Sequence, residues 1–593
     1  MIPHRKFFHR FFSIVHRNSD VRVQTFLYIP FIVSLLLVVA AIFDVGFDQT
    51  AFMRRILHLV YLVGFIVEVL ALLLRLIRPV QRRVAVVFVD VLMCLVLLGY
   101  IPVLFGHVWL PALSNPYWQG LLILLIFVRE ASIVHLKIRR SLLNPAQMFL
   151  FSFLLLIVMG AMLLCMPHAT FEGISLLDAL FTSTSAVCVT GLAVVDTGAT
   201  FTTFGLIVLM LLMQLGGLGM MTFTSYFSYF FKGGTSYENQ LALQEMTNAD
   251  KISEVFLVLR RILLLTLGIE LLGGLLIYHF LQTSGLFPEQ GRLLFTFFHS
   301  ISAFCNAGFS TLSNSLYEVG YRMNYGLQLV VASLFIVGGL GFPILFNLVR
   351  YLKHLLTHKL LNKRGVSMPW VINLHTRVVL ITSVSLLVLG TLGVFLLEWE
   401  GVLAEHSGVG KWVVAFFTAA TPRTAGFNVV DTAAIQLPTL LLVVFLMWVG
   451  ASPGSTGGGI KTSTFAIALL NSISIAKGKD RIDCFGREVS PITVRRAYSQ
   501  VFLSVLVIVA ATWALSLFEP EQRFRALFFE TVSAFSTVGL STGLTPFLSI
   551  GGKWVLIVTM FVGRLSMLTF MVAFFKQVTY LKYRYPQEDI LIN

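Results

Sequence analysis

Four short stretches of this chain have residue types and spacing that could act together, and the chemistry would belong to the backbone. They lie at residues 181–192, 298–309, 417–427 and 529–540. Each opens on an aromatic and passes through Ser, Thr and Ala. The endings are Val189-Thr190-Gly191-Leu192, Asn306-Ala307-Gly308-Phe309, Thr424-Ala425-Gly426-Phe427 and Thr537-Val538-Gly539-Leu540. Only the glycine is common to all four, and it recurs at a nearly constant interval, as expected of one unit used four times. A glycine shared among varied neighbours points to a backbone conformation that a side chain would forbid. Four such segments around an axis can aim carbonyl oxygens inward and replace the hydration shell of a cation. They carry no ring of Asp or Glu, so uncharged carbonyl ligands would suit a large, weakly hydrated ion such as potassium.

Glycines in membrane helices also serve close packing, and a single one would be read that way. Four copies, each between two apolar spans, favour the loop reading. The spans preceding the stretches lie near 146–167, 257–281, 376–397 and 498–518. Those following lie near 203–231, 326–352, 437–475 and 553–576. The stretch between is too short and polar to cross, because about ten helical residues cover only ~15 Å, so it dips in and returns. The short helix before each glycine, such as residues 177–187, would aim its partly negative C-terminal end at the centre.

Composition fits that picture. The 593 residues are 57% hydrophobic and 12% charged, which excludes a soluble enzyme, and no nucleophile–base or metal-ligand cluster appears in the spans. Apolar runs of about 20 residues recur throughout, the length that crosses a bilayer. The net charge of +15 sits mostly in short loops, so the positive-inside rule accounts for it and nucleic acid is not the partner. The five cysteines (Cys94, Cys165, Cys188, Cys305, Cys484) are scattered, arguing against disulfides or a zinc site. The first apolar run, residues 21–43, exceeds a signal-peptide core and reads as a retained helix of a multi-pass protein of the cell inner (cytoplasmic) membrane.

Residues 1–143 hold four spans, near 21–43, 56–77, 84–105 and 118–136. Glu68, Arg75 and Asp90 resemble the charge pattern of voltage-sensor helices, but the fourth span lacks regularly spaced arginines, so a packing or assembly domain is expected. The repeats are expected at 144–245, 246–365, 366–490 and 491–593, the last with a cytoplasmic tail. Basic loops (Arg75, Arg78, Arg82 and Arg83; Lys137, Arg139 and Arg140; Lys353, Lys359, Lys363 and Arg364; Lys477, Lys479, Arg481, Arg487, Arg495 and Arg496) face the cytoplasm on this reading, and Arg54 and Arg55 are exceptions. The re-entrant stretches then lie on the outer side.

A second fourfold comparison concerns the following spans. They contain Gly216-Gly217, Gly338-Gly339, Gly450-Ala451 and Gly563-Arg564, and the third alone carries an inserted stretch, Ser452-Pro453-Gly454-Ser455-Thr456-Gly457-Gly458-Gly459-Ile460-Lys461. Proline and clustered glycines break a helix. A phosphate-binding loop is rejected, since Ile460 separates Gly459 from Lys461 and no strand precedes. A loop at mid-membrane, inward of the glycines, reads as a gate. Arg564, where the other units have Gly217, Gly339 and Ala451, is costly in a membrane and reads as its partner.

These features resemble the Trk/Ktr/HKT superfamily of potassium transporters over about residues 146–580. The motifs are the four glycines, the loop at 454–462 and Phe485-Gly486-Arg487. The resemblance implies an all-α integral membrane protein of four repeated helix–pore-loop–helix units around a central pore, here preceded by four extra transmembrane helices. It implies potassium as the transported ion, with Gly191 in place of the serine linked to sodium transport, and a gating loop paired to Arg564. It also implies a homodimer working with a cytoplasmic nucleotide-binding subunit, encoded separately. Whether conduction is channel-like or coupled to sodium stays open, and a substrate-coupled secondary transporter is the alternative.

Overall fold

The computed structural model describes residues 29–77, 84–104, 116–131, 145–219, 255–288, 291–361 and 373–565, with residues 570, 571 and 574. Of the basic positions above, Arg78, Arg82, Arg83, Lys137, Arg139, Arg140, Lys363 and Arg364 lie outside the described residues, as do the tail from residue 575 and the span continuing past residue 219. Six described helices are long and apolar enough to cross a membrane: Ile29–Gly46, Ala51–Arg75, Gln147–Leu164, Arg260–Thr283, Leu374–Leu397 and Pro491–Phe518. Their outward faces are apolar and open. Leu264, Leu267, Leu271 and Leu275 form one exposed stripe at helical spacing, which only a lipid surround makes favourable.

The four repeats follow one plan. The first helices are Pro145–Leu164, Val255–Thr283, Leu374–Leu397 and Pro491–Phe518. The short ones are Leu176–Val187, Arg292–Phe304, Val409–Ala420 and Phe524–Phe535, and the second helices start at Thr203, Tyr325, Leu437 and Ile550. The short helices have 12 or 13 residues, about 18 Å, and reach only half-way through a hydrocarbon core. Unlike the first helices they are largely buried, so their Ser, Thr and Ala pack against protein on all sides. In the first unit Ser175 caps the short helix by accepting from Asp178 N at 3.1 Å, and Lys553 of the fourth unit meets Asp178 Oδ1 at 2.5 Å. The first and last units are thus neighbours. Phenylalanines fill the seams, as where Phe335 meets Phe417 edge-on, with centroids 5.4 Å apart.

Two of the second spans are broken, where the sequence pattern marked only the third. In the third unit Leu437–Trp448 ends, residues 449–461 form a loop, and Thr462–Ala476 resumes. In the second unit, read above as one span near 326–352, the helix turns by 103° between Leu340 and Phe342. Gly341 sits there at φ 85°, and Pro343 follows, which disfavours uninterrupted helix.

The N-terminal helices Ala51–Ile77, Val84–Leu104 and Pro116–Ala131 are joined by buried charges. Arg75 makes a two-pronged pair with Glu130 at 2.5 and 2.6 Å, and Arg129 Nε meets Asp90 Oδ1 at 2.7 Å. Glu68 lies beside them, 1% exposed, with Oε1 unpartnered. Sequence reading picked Glu68, Arg75 and Asp90 but missed both partners on the fourth helix. The first helix reaches the pore units through His168, whose ring nitrogens contact Val45 O and Asp48 Oδ1 at 2.8 Å each. Removing one partner of a buried pair strands the other, so Glu130→Ala should lower stability by roughly 3–5 kcal/mol. A fluorescence melt in detergent measures this; an unchanged melting temperature would contradict the pairing.

Candidate functional site

The four glycine segments meet at one place, where their backbones depart from ordinary geometry in the same way. Gly191, Gly308, Gly426 and Gly539 lie at φ 88°, 71°, 79° and 92°. Two residues earlier in each, Val189, Asn306, Thr424 and Thr537 lie at φ 56°, 59°, 70° and 49°. Three of these are β-branched, for which the left-handed region is a true outlier. Such strain costs about 1–3 kcal/mol per residue and persists only where the surroundings enforce it.

The enforcing contacts are the amides of the middle residues. Thr190 N donates to Ser185 O at 2.7 Å, Ala307 N to Ser302 O at 2.7 Å, Ala425 N to Thr421 O at 2.9 Å and Val538 N to Ser533 O at 2.9 Å. Each amide is turned back to its own short helix. Each middle carbonyl oxygen lies against the glycine of the neighbouring segment. A methyl on Gly191 would strike Ala307 O, on Gly308 Ala425 O, on Gly426 Val538 O, and on Gly539 Thr190 O. The contacts run from unit 1 to 2 to 3 to 4 and back to 1, which closes the ring. Above it a cavity of about 400 Å³ is lined by the four glycines, with Asp196 and Asp431 at its edge.

The inserted loop fills the other side. Gly457 lies against the Thr424 side chain and Gly458 against that of Thr537, while Gly459 abuts Ser536. Thr456 Oγ1 reaches Asn306 Oδ1 at 3.0 Å and Phe304 O at 3.3 Å. The loop hangs in the break of the second unit: Ser452 N donates to Gly339 O at 3.0 Å, and Phe342 N to Gly454 O at 3.1 Å. Ser455 Oγ returns to Ser452 O at 2.6 Å, and Lys461 Nζ to Gly457 O at 2.6 Å. Arg564, 1% exposed, donates Nη1 to Thr456 O and Nη2 to Gly216 O at 2.8 Å. The four glycine segments, the inserted loop and Arg564 are therefore brought together, the ring on one side and the loop with Arg564 on the other, whereas Glu68, Arg75 and Asp90 lie among the N-terminal helices and Phe485-Gly486-Arg487 in the hairpin of Asp483–Cys484 and Arg487–Glu488.

Asn306 serves both parts, which its place in the repeat did not reveal. Glu530 was also missed. It is fully buried on the fourth short helix and accepts from Ser541 Oγ at 2.6 Å, Thr542 N at 3.0 Å and Thr545 Oγ1 at 2.8 Å. His299, at the same register of the second unit, reaches Ser310 Oγ at 2.9 Å. Both brace the chain just beyond the ring. An acid and a histidine among small residues were the available signal.

Comparison with known proteins places this arrangement. The family profile TrkH, cation transport protein, matches residues 118–583, beginning within the fourth N-terminal helix. The chain is 36% identical over 452 residues to the Ktr system potassium uptake protein B of Bacillus subtilis, spanning 75% of this chain and 96% of that one. It is 34% identical to the potassium/sodium uptake protein NtpJ of Enterococcus hirae, over 77% of this chain and 98% of that one. The crystal structure of the potassium transporter TrkH from Vibrio parahaemolyticus shares the fold, with a TM-score of 0.59 at 18% identity, covering 93% of this chain and 98% of that one. The chain belongs to the TrkH family of cation transport proteins, a family of multi-pass membrane transporters and not of enzymes.

Proposed function

We propose that this protein takes up potassium across the cytoplasmic membrane through the ring of Thr190, Ala307, Ala425 and Val538 carbonyls, and that the loop at 449–461 is its gate. The single observation that carries the reading is the closed cycle of glycine-to-carbonyl contacts around four units. Uncharged carbonyls held in place by the short helices can exchange for the hydration shell of a large monovalent ion at little reorganisation cost. The C-terminal ends of four short helices add partial negative charge at the same point. The name of the Bacillus subtilis relative supports potassium as cargo. That of the Enterococcus hirae relative, potassium/sodium uptake, keeps sodium as a second cargo or coupling ion. Flux into proteoliposomes with and without a sodium gradient separates uptake of potassium alone from coupled uptake.

For the gate, Arg564 supplies one charged donor to the loop at Thr456 O, worth roughly 1.5–3 kcal/mol and enough to keep the loop docked most of the time, while its second donor anchors the guanidinium to Gly216 O of the first unit. A homodimer and a separate cytoplasmic regulatory subunit complete the proposal. The basic segment around the hairpin Asp483–Cys484 and Arg487–Glu488, with Lys477, Lys479, Arg481, Arg495 and Arg496, is the docking surface offered for that subunit.

At Gly191 a side chain would meet both a left-handed backbone and the Ala307 carbonyl. Gly191→Ser should therefore lower potassium-over-sodium selectivity by about tenfold, equal to ~1.4 kcal/mol. Unchanged sodium permeability, and unchanged growth of potassium-uptake-deficient cells at low potassium, would remove Gly191 from the filter. Deleting residues 454–458 should raise potassium flux with selectivity intact. Arg564→Ala should do so more weakly, by about tenfold if one charged bond sets the closed population. Wild-type flux from a well-expressed deletion protein would overturn the gate.

A further inference from the structure

Behind the third filter segment lies a cation that transport does not use. Arg423, directly before Thr424, donates Nη1 to Ser383 O at 3.1 Å and Nη2 to Ser383 Oγ at 3.0 Å, while its buried Nε has no hydrogen-bond partner. Among the described residues no carboxylate lies within ion-pair distance of it. The guanidinium lines a cavity of about 140 Å³ whose other walls are almost wholly apolar, including Phe335, Leu380, Val384 and Leu387. A half-buried guanidinium with a buried, open Nε donor and no counter-charge is costly, and a planar carboxylate is its best match.

The cavity opens toward lipid. Val384 in its wall is 57% exposed, and Ile381 and Val388 on the same face of Leu374–Leu397 are 54% and 50% exposed. Its volume is roughly that of four or five waters, room for a carboxylate and the first few methylenes of a chain. A phospholipid headgroup does not fit such a space. Ser383 also lies roughly 14 Å along its helix from Leu374, deeper than a headgroup sits. We propose that this cavity binds the carboxylate of a free long-chain fatty acid, paired to Arg423 with the acyl chain leaving between the helices past Val384.

The site adjoins the loop. Gly339 and Ala451 complete the cavity wall, and these are the residues from which the loop hangs: Gly339 O accepts from Ser452 N at 3.0 Å, and Ala451 O from Thr462 N at 3.3 Å. An acid that fits the docked arrangement stabilises it and lowers flux. This consequence, though not the binding, rests on the gate reading.

The test uses the full chain in proteoliposomes with palmitate, methyl palmitate and a diazirine-bearing fatty acid. Photolabelling should fall on peptides holding residues 335–340 or 380–387, and palmitate should compete it where the methyl ester does not. Arg423→Gln should abolish the label. Val384→Trp, which keeps Arg423 but fills the cavity, should abolish it too, so that misfolding of one variant does not decide the matter. Palmitate should lower rubidium flux about threefold in the unaltered protein, a shift expected of a ligand selecting the docked state. Equal competition by the ester, or labelling that survives both substitutions, would overturn the site. Specific labelling with unchanged flux would support the site and overturn its link to the gate.

Discussion

Non-helical backbone inside a bilayer has no water to satisfy it, and the centre of this protein is built around that constraint. In the ring, the middle amides turn back to carbonyls of the short helices and their caps, and each middle oxygen lies against the glycine of the neighbouring segment. In the loop, the amides of Ser452 and Thr462 find carbonyls of the second unit's broken helix and of Ala451. Two carbonyls, Gly216 O and Thr456 O, are met by a buried guanidinium instead of an amide. Arg564 is tolerated at mid-membrane because it supplies donors where backbone geometry cannot.

The same constraint makes the two halves of the site differ in stiffness. Every ring segment is held through strained residues on a short helix buried on all sides, and moving one would disturb the next through the closed glycine contacts. The loop is held by single bonds to several units, with few apolar groups of its own. On the proposed reading, a rigid ring above a lightly held loop that lifts would let selectivity and opening vary independently. The bend at Gly341 belongs to this design, since Phe342 N donates to Gly454 O of the loop across it.

Much of this was legible in the sequence because repetition reports symmetry. Gly191, Gly308, Gly426 and Gly539 stood out by recurring, and the loop and Arg564 by breaking the recurrence. Features that neither repeat nor interrupt the repeated pattern left no such mark. The bend at Gly341 was hidden because Gly-Phe-Pro does not interrupt the hydrophobic run, although Pro343 was a sufficient stop signal. Glu530 and Arg423 looked like isolated charges, and their roles come from residues distant in sequence, Ser541 and Thr545 for one and Ser383 for the other. The pairing of Arg75 with Glu130 likewise joins the second helix to the fourth, a contact that no local periodicity encodes.

On the proposed reading, dehydrated potassium rests among the four middle carbonyls. Anomalous diffraction from crystals grown in rubidium checks this placement. A peak should appear inside the ring, within coordinating distance of the Thr190, Ala307, Ala425 and Val538 oxygens, and be lost when sodium replaces rubidium. A peak only in the outer cavity beside Asp196 and Asp431, with none inside the ring, would contradict it.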